Sequence, residues 1–137
     1  MFTCKFMVYP LILLPTTYEG EIMTITRHHI GPRMSQAVVH NETVYLAGQV
    51  ASDTTADITG QAQQVLAKID ALLAEVGSDK TKILTAQIWL PNIANFAKMN
   101  AVWDAWIPAG HTPARATIEA HLAAPDYLIE IGVIAAL

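Results

Sequence analysis

The stretch that decides the fold runs from residue 57 to residue 91 and reads DITGQAQQVLAKIDALLAEVGSDKTKILTAQIWLP. Its first part repeats apolar residues at intervals of three and four positions, which is the spacing of one face of an α-helix. The residues of this apolar face are Ile58, Ala62, Val65, Leu66, Ile69, Leu72, Leu73 and Val76. Asp57 can cap the start of the helix, and Gly77 suits the left-handed backbone position past its end. KILTAQIWL at 82–90 is rich in strand-forming residues and ends at Pro91, so it predicts a strand.

The segments on the amino-terminal side of this helix predict three short strands. MTITR at 23–27 and MSQAVVH at 34–40 predict the first two, and NETVYLAGQV at 41–50 follows directly. Because Asn41 and Glu42 lie between the second and third strands, they suit a tight hairpin turn.

The segments on the carboxyl-terminal side predict a second helix and two more strands. The helix runs from about Asn92 to Trp106, and Pro108 and Gly110 end it. Its apolar stripe consists of Phe96, Met99, Trp103 and Trp106. Two final strands, near 114–121 and 127–135, flank the turn LAAPD and are expected to form a hairpin. The order β-β-β-α-β-α-β-β predicts an α+β domain of two layers, a sheet with two helices on one face.

The composition predicts a single domain that buries part of its surface in an oligomer. A length of 137 residues fits one domain with a substantial core. Hydrophobic residues make up 53% of the chain and charged residues 15%, whereas a typical soluble domain has about 45–50% and about 25%. This apolar surplus indicates that another subunit covers part of the surface.

The strand at 82–90 indicates where that subunit would bind. Alternation assigns one set of its residues to the helices and the other set to the uncovered face of the sheet. The first set is Leu84, Ala86, Ile88 and Leu90, and the second is Ile83, Thr85, Gln87 and Trp89. Ile83 and Trp89 are poorly suited to water, so we predict that a subunit packs on this face. The alternative is that Trp89 wraps around an edge of the sheet.

Charge and cysteine content exclude several classes of protein. The net charge of −4 and the absence of a basic run argue against nucleic-acid binding as the main role. The single cysteine, Cys4, rules out an intramolecular disulfide and fits a reducing compartment, so a cytoplasmic location is expected. The apolar run in residues 1–22 contains Pro10 and Pro15 and is too short to span a bilayer. We therefore predict an amino-terminal extension at 1–22, a working domain at 23–137, and no membrane partner.

The segment TPARATIEAH at 112–121 holds the candidate for chemistry. Its alternation places Ile118 on the core, with Arg115 and Thr117 on the opposite face. If the last two strands form a hairpin, Glu130 lies close to Arg115 on that same uncovered face. The guanidinium fork of Arg115 suits a ligand carboxylate, and Glu130 could position a water molecule. The alternative is that these two side chains form a salt bridge and nothing more.

Several segments together resemble the RidA family, which is also called the YjgF or endoribonuclease L-PSP family. They are GPRMSQ, VYLAGQV, QAQQVLAKIDALLAEVGS, ILTAQIWLPNIANFAKMNAVWDAW and TPARATIEA followed by YLIEIGVIA. The resemblance covers about residues 24–137 in the right order. Its most specific parts are PAR, fifteen residues before the glutamate of IEI, and the helix that contains MNAVWDAW.

The resemblance implies a chorismate-mutase-like fold, a homotrimer, and ligand clefts between subunits. Active members of the family hydrolyse small 2-imino or enamino acids to 2-keto acids and ammonia, without a metal or a cofactor. By resemblance, Arg115 holds the substrate carboxylate and Glu130 orients the water. Asn100 corresponds to the asparagine at the rim of the cleft, and Gly48 corresponds to the glycine of the GQ turn.

Three positions depart from the pattern of the family. Arg33 stands where members often carry a tyrosine, and it could add a second contact to an anion or fill the cleft. Ala47 replaces a common serine, and Thr117 replaces a common cysteine. These changes keep the arginine but alter the wall of the pocket, so they leave the ligand open.

Other function classes compete with the deaminase. A trimeric protein that binds small carboxylates without turning them over is the main alternative, and RNA cleavage is a third that the charge disfavours. The adjacent pair His28 and His29 is not expected to bind a metal jointly, because neighbouring strand residues point to opposite faces. No glycine-rich phosphate loop, GxSxG motif or cysteine nucleophile occurs in the domain.

Overall fold

A computed structural model describes residues 24–137, and the extension expected at 1–22 lies outside them. The elements follow the predicted order β-β-β-α-β-α-β-β. They are β1 (Thr26–Ile30), β2 (Ser35–His40), β3 (Thr43–Leu46), α1 (Ile58–Glu75), β4 (Ile83–Leu90), α2 (Phe96–Trp106), β5 (Ala114–Glu119) and β6 (Glu130–Ala136). The predicted α+β architecture of a sheet and two helices is confirmed, and the sheet is mixed.

All six strands form one sheet in the order β1-β2-β3-β6-β4-β5. Neighbouring strands are antiparallel except β4 and β5, which are parallel. The prediction of a hairpin between the last two strands is therefore wrong, because β4 lies between β5 and β6. The chain leaves β5 at the edge of the sheet and crosses the end of β4, where the Ala120 N–H donates to the Leu90 carbonyl. It then inserts β6 between β4 and β3.

The turn between β2 and β3 is the tight hairpin that the sequence predicts. Asn41 and Glu42 have φ angles of 50° and 57°. A two-residue turn with positive φ at both positions matches the right-handed twist of the strands that it joins. Its effect is to fix the register of β2 on β3, with Val39 opposite Val44.

Helix α1 begins and ends where its capping residues predict. The Asp57 side chain accepts a hydrogen bond from the Gly60 N–H at 2.9 Å, and Gly77 has a φ of +85° past the carboxyl end. Helix α2 begins later than predicted, at Phe96, because residues Ile93–Asn95 form a short 3₁₀ turn that the Asn92 side chain caps. In its predicted stripe Met99 and Trp103 are buried, whereas Phe96 is 41% exposed.

The core lies between the helices and one face of the sheet, and β4 supplies four of its residues. Ala86, Ile88 and Leu90 are buried as predicted. Leu84 and Ile83 are exchanged relative to the prediction, since Leu84 is half exposed and Ile83 is buried. The cause is a register shift between Ile83 and Thr85, which interrupts the alternation of the strand at its start.

The orientation of β5 is opposite to the prediction. Ile118 is 52% exposed, and it pairs with Trp89 on the open face of the sheet. Arg115 pairs with Ala86 and Thr117 with Ile88, and these partners face the helices. Paired residues of adjacent strands point to the same side of a sheet, so Arg115 and Thr117 lie on the helical side. An edge strand admits this orientation because Arg115 on its polar face meets Asn100 and Trp103 of α2 and does not enter the centre of the core.

The open face of the sheet retains an apolar surface. Tyr45 of β3 and Ile118 of β5 are exposed, and between them Trp89 lies half-buried with its ring against Gly132. A subunit packed on this face would remove these side chains from water, and this stays a prediction. In the part of the chain that the structure describes, neither helix has the length and hydropathy needed to cross a bilayer.

Gln61 joins the start of α1 to the segment that leads into β6. Its side chain is fully buried, donates to the carbonyls of Asp126 (3.0 Å) and Ala56 (3.2 Å), and accepts from the Leu128 N–H (2.9 Å). These bonds satisfy backbone groups in an irregular segment that has no strand partner there. Gln61 therefore helps to hold the crossing segment in place and with it the position of Glu130.

We expect Gln61→Leu to lower the free energy of unfolding by about 2–4 kcal/mol, because it removes the hydrogen-bond partner of the Asp126 carbonyl and of the Leu128 N–H. Gln63→Leu, at an exposed position of the same helix, is the control and should change it by less than about 0.5 kcal/mol. Urea unfolding at equal protein concentration measures both. Equal losses in the two variants would contradict the assigned role of Gln61.

Candidate functional site

Arg115 projects from β5 towards α2 and is held there by uncharged groups. Its Nη2 donates to Asn100 Oδ1 at 2.8 Å, and its guanidinium carbon lies 5.0 Å from the centre of the Trp103 ring. Among residues 24–137 this is the one hydrogen bond that the side chain makes, so most donors of its fork are available. Arg115 and Asn100, which the resemblance assigns to the same cleft, are thus in contact within a single chain.

Thr117 lies two residues after Arg115 on the same side of β5. Its hydroxyl oxygen is buried and has no hydrogen-bond partner among the described residues. A buried hydroxyl without a partner is costly, and it is a position where a ligand oxygen or a water molecule would be stabilised. Arg115, Asn100 and Thr117 together form what we call the arginine half-site.

Gly48 and Glu130 form a second cluster on the open face, the glutamate half-site. Gly48 follows β3, and the Glu130 carboxylate occupies the space that a side chain at residue 48 would need. A Cβ placed on Gly48 would lie 2.9 Å from Glu130 Cδ and 3.2 Å from its Cγ. Only glycine lets the carboxylate approach the backbone so closely, which explains the residue type at this position.

The two half-sites lie apart within one chain, which corrects the prediction that Arg115 and Glu130 are neighbours. Glu130 pairs with Trp89 on the open face, whereas Arg115 pairs with Ala86 on the helical face. These two partners, Ala86 and Trp89, are three residues apart on β4, so Arg115 and Glu130 are also offset by roughly 10 Å along the strand. Period-two alternation could not reveal this, because it does not determine which face of an edge strand meets the helices.

Arg33 belongs to neither half-site within the described chain. It lies exposed in the loop between β1 and β2, where the Gly31 N–H donates to the Met34 carbonyl at 2.8 Å. Its predicted contact with an anion thus has no support from the other candidate residues of the same chain and stays a prediction.

His28 and His29 contact the same carboxylate, which corrects the expectation that their side chains diverge. Glu75 of α1 lies 3.3 Å from His28 Nδ1 and 2.7 Å from His29 Nε2. The rings converge because His29 has a φ of 50°, which breaks the alternation of β1. The hydrogen bond with His29 lowers the pKa of Glu75 below its ordinary value, and the contact with His28 adds to this effect. Within residues 24–137 no group of three or more His, Cys, Asp or Glu side chains could hold a metal ion.

A cavity of about 590 Å³ adjoins the backbone of Gly48 on the side of α1. Its polar walls include Gln36, Lys68 and Glu75, and Lys68 Nζ donates to the Val50 carbonyl at 2.7 Å. Open space therefore borders Gly48 of the glutamate half-site.

Taken together, the fold and the half-sites define a small α+β domain with a free arginine fork at the edge of its sheet. Sequence comparison matches residues 26–137 to the family described as endoribonuclease L-PSP. The RutC family protein YoaB of Escherichia coli K12 is 45% identical over 115 residues, which are 84% of this chain and all of YoaB. The chain belongs to the endoribonuclease L-PSP (YjgF) family, as its segments predict.

Solved structures support the same assignment. NMB1025 of Neisseria meningitidis, a member of the YjgF protein family, matches with a TM-score of 0.80 and 44% identity over 83% of this chain and 95% of its own. An uncharacterised protein of Pseudomonas aeruginosa matches with a TM-score of 0.81 and 41% identity, covering 82% of this chain and 98% of its own. The overall fold is thus common to these proteins.

Trp103 packs against the arginine half-site, and the sequence did not reveal this contact. Its position on the apolar stripe of α2 indicated packing, and it is indeed 4% exposed. The sequence carried one usable signal, since Asn100 and Trp103 lie three positions apart on a helix and therefore share a face. A contact of Asn100 with Arg115 implies that Trp103 is near as well.

We expect Gly48→Ala to displace the Glu130 carboxylate and to lower the free energy of unfolding by about 1–2 kcal/mol, because the new methyl group overlaps it. The loss should largely disappear in a Glu130→Ala background. Gly132→Ala is the matched control on the same face, since a Cβ there meets the Trp89 ring at 3.5 Å, an ordinary contact. Urea unfolding of Gly48→Ala, Glu130→Ala, the variant with both changes, and Gly132→Ala measures these differences. A loss of stability in Gly48→Ala that is the same with and without Glu130 would contradict the overlap.

Proposed function

We propose that this protein is a hydrolytic deaminase of small 2-imino or enamino acids and releases 2-keto acids and ammonia. The observation that carries the proposal is the arginine half-site, where a largely free guanidinium fork lies on the same side of β5 as the buried Thr117 hydroxyl, which has no hydrogen-bond partner among residues 24–137. A planar fork suits a carboxylate, which it can bind through two parallel hydrogen bonds. The membership of the family is consistent with this role.

The reaction needs little more than the positioning of the substrate and of a water molecule. The water oxygen adds to the carbon of the C=N bond, the nitrogen takes up protons, and the C–N bond breaks as the C=O bond forms. The products are a keto acid and ammonia, so atoms and charge balance without an oxidant or a metal. Because imines are already electrophilic, holding the carboxylate and the water in line is the main requirement.

The roles follow from the chemistry of each half-site. Arg115 holds the substrate carboxylate, and Thr117 offers its hydroxyl to the same ligand. Glu130 accepts a proton from the attacking water and orients it. Asn100 fixes the guanidinium by accepting from Nη2.

We propose further that the cleft forms between subunits of a homotrimer. Arg115 and Glu130 lie on opposite faces of one sheet, so a single chain cannot present both to one small substrate. Rotational symmetry would instead bring the arginine half-site of one subunit to the glutamate half-site of the next. The apolar open face supplies the surface for such an assembly.

A second candidate function is a trimeric binding protein for small carboxylate metabolites. The same arginine half-site supports it, because a fork and a hydroxyl bind a carboxylate whether or not a reaction follows. The two functions differ in Glu130, which only the hydrolase requires.

We expect ammonia release from 2-iminopropanoate, generated in situ, to exceed the buffer rate and to fall at least about 100-fold in Arg115→Ala, since a buried charge-assisted contact is lost. Arg115→Lys should recover little, because a lysine lacks the planar fork. Arg27→Ala, at an exposed position of β1, is the control and should match the wild type.

A wild-type rate equal to buffer would exclude the deaminase for this substrate. Pyruvate binding that is lost in Arg115→Ala would in that case favour the binding protein.

Mixing two inactive variants tests the cleft between subunits. When Arg115→Ala and Glu130→Ala chains are denatured together and refolded in equal amounts, about a quarter of the clefts in random trimers combine an intact Arg115 with an intact Glu130 of the neighbour. We therefore expect about a quarter of the wild-type ammonia release. Each variant refolded alone gives the background. No activity in the mixture would show that both residues come from one chain, and a monomer in light scattering would exclude the shared cleft.

A further inference from the structure

The guanidinium of Arg115 rests on an aromatic pair that extends through α2 to α1. Its carbon lies 5.0 Å from the centre of the Trp103 ring, and the centres of the Trp103 and Trp106 rings are 5.3 Å apart at an angle of 57°. Tilted pairs at this distance are favourable arrangements of aromatic rings. The three side chains therefore form a continuous stack from β5 into the helical layer.

The far end of the stack is fixed by polar contacts to α1. Trp106 Nε1 donates to Asp70 Oδ2 at 2.9 Å, and Lys80 Nζ lies 3.6 Å from the same oxygen. Lys80 also lies 5.3 Å from the centre of the Trp106 ring. An indole with its nitrogen bonded and its face covered has little freedom to rotate, so Trp106 limits the positions available to Trp103.

The partners of Arg115 are uncharged, which matters for a ligand-binding arginine. A carboxylate beside Arg115 would hold it firmly, but it would also compete with the carboxylate of a ligand for the same donors. An amide oxygen and an indole face hold the guanidinium without neutralising its charge. The stack thus orients the fork while leaving its charge for the ligand.

We propose that Trp103, fixed by the Trp106–Asp70 hydrogen bond, positions Arg115 together with Asn100 and thereby sets the affinity of the site for carboxylates. The claim about affinity rests on the proposed function. Trp106 and Asp70 are positioning residues in this scheme, since they act through Trp103 and do not touch the ligand.

The first test observes Arg115 itself and requires no substrate. The chain has three arginines, Arg27, Arg33 and Arg115, and labelling them with ¹⁵N gives three Nε–H signals. We expect the ring current of Trp103 to move one signal upfield from those of the two exposed arginines, and Arg115→Lys assigns it by removing it. Trp106→Phe should move this signal part of the way back towards the signals of Arg27 and Arg33, because the hydrogen bond from Trp106 to Asp70 is lost.

Variants of Asp70 separate a specific contact from a general loss of packing. Asp70→Ala should shift the Arg115 signal as Trp106→Phe does, whereas Asp70→Asn keeps an acceptor oxygen for Trp106 and should leave the signal near its wild-type position. Asp104→Ala, an exposed carboxylate on the same helix as Trp106, is the matched control and should change nothing. A wild-type signal at the position of the exposed arginines, or one that stays fixed in Trp106→Phe and Asp70→Ala, would overturn the proposal.

The second test measures affinity with pyruvate as the probe. We expect Trp106→Phe and Asp70→Ala to raise its Kd about 3- to 10-fold, in the range of a weakened cation–π contact, with Asp70→Asn and Asp104→Ala near the wild type. In the ammonia assay the same two variants should raise KM and leave kcat within about twofold, since they alter the binding of the carboxylate and leave Glu130 in place.

The two tests separate the possible failures. If the wild type binds pyruvate and Trp106→Phe and Asp70→Ala leave its Kd unchanged, the positioning role is wrong and the proposed function stands. If the wild type neither binds pyruvate nor releases ammonia above the buffer rate, the proposed function and the claim about affinity both fail, while the shift of the Arg115 signal still decides whether the stack orients the side chain.

Discussion

The pairing of β6 with both β3 and β4 is the constraint on which the rest of the structure depends. Because β6 occupies the inner edge of β4, β5 can pair only along the outer edge, where it runs parallel to β4. The parallel register sets Arg115 beside Ala86 and thereby turns its side chain towards α2. The position of the arginine half-site is therefore a consequence of strand order and cannot be explained by β5 alone.

Local signals in the sequence predicted the elements, whereas the contacts between elements decided the site. Asp57, Gly77 and the Asn41–Glu42 turn act through neighbours in the chain, so their effects could be predicted. The alternation of β5 was also correct as a pattern, but both faces of an edge strand can be partly exposed. Ile118 joins Trp89 on the open face, and which face meets the helices depends on pairing partners distant in sequence. The same limit applies to His29, where one residue of positive φ changes the direction of a ring.

The separation of the half-sites gives the apolar open face a functional meaning. Glu130 lies on that face against Gly48, with the half-buried Trp89 as its strand partner, so a subunit packed there would also enclose the carboxylate. Enclosure reduces the competition of bulk water for the groups in the cleft and strengthens their interactions with a ligand. In this arrangement the contacts that stabilise the assembly and those that complete the cleft share one surface. Under the proposed function, a weaker assembly would then also lower the activity.

An arginine that binds anions must be both oriented and left without a counter-ion, and these demands conflict in most protein environments. A carboxylate partner orients the guanidinium but neutralises its charge. Solvent leaves the charge free but does not orient the guanidinium. The Asn100 oxygen and the Trp103 ring satisfy both, because each attracts a cation without carrying a charge. The nearby Thr117 hydroxyl has no partner among the described residues, so the half-site retains one unfilled hydrogen-bonding position beside a free charge. A carboxylate offers a negative charge to the fork and oxygens that can accept from a hydroxyl, so the half-site has the chemical groups that the proposed function requires.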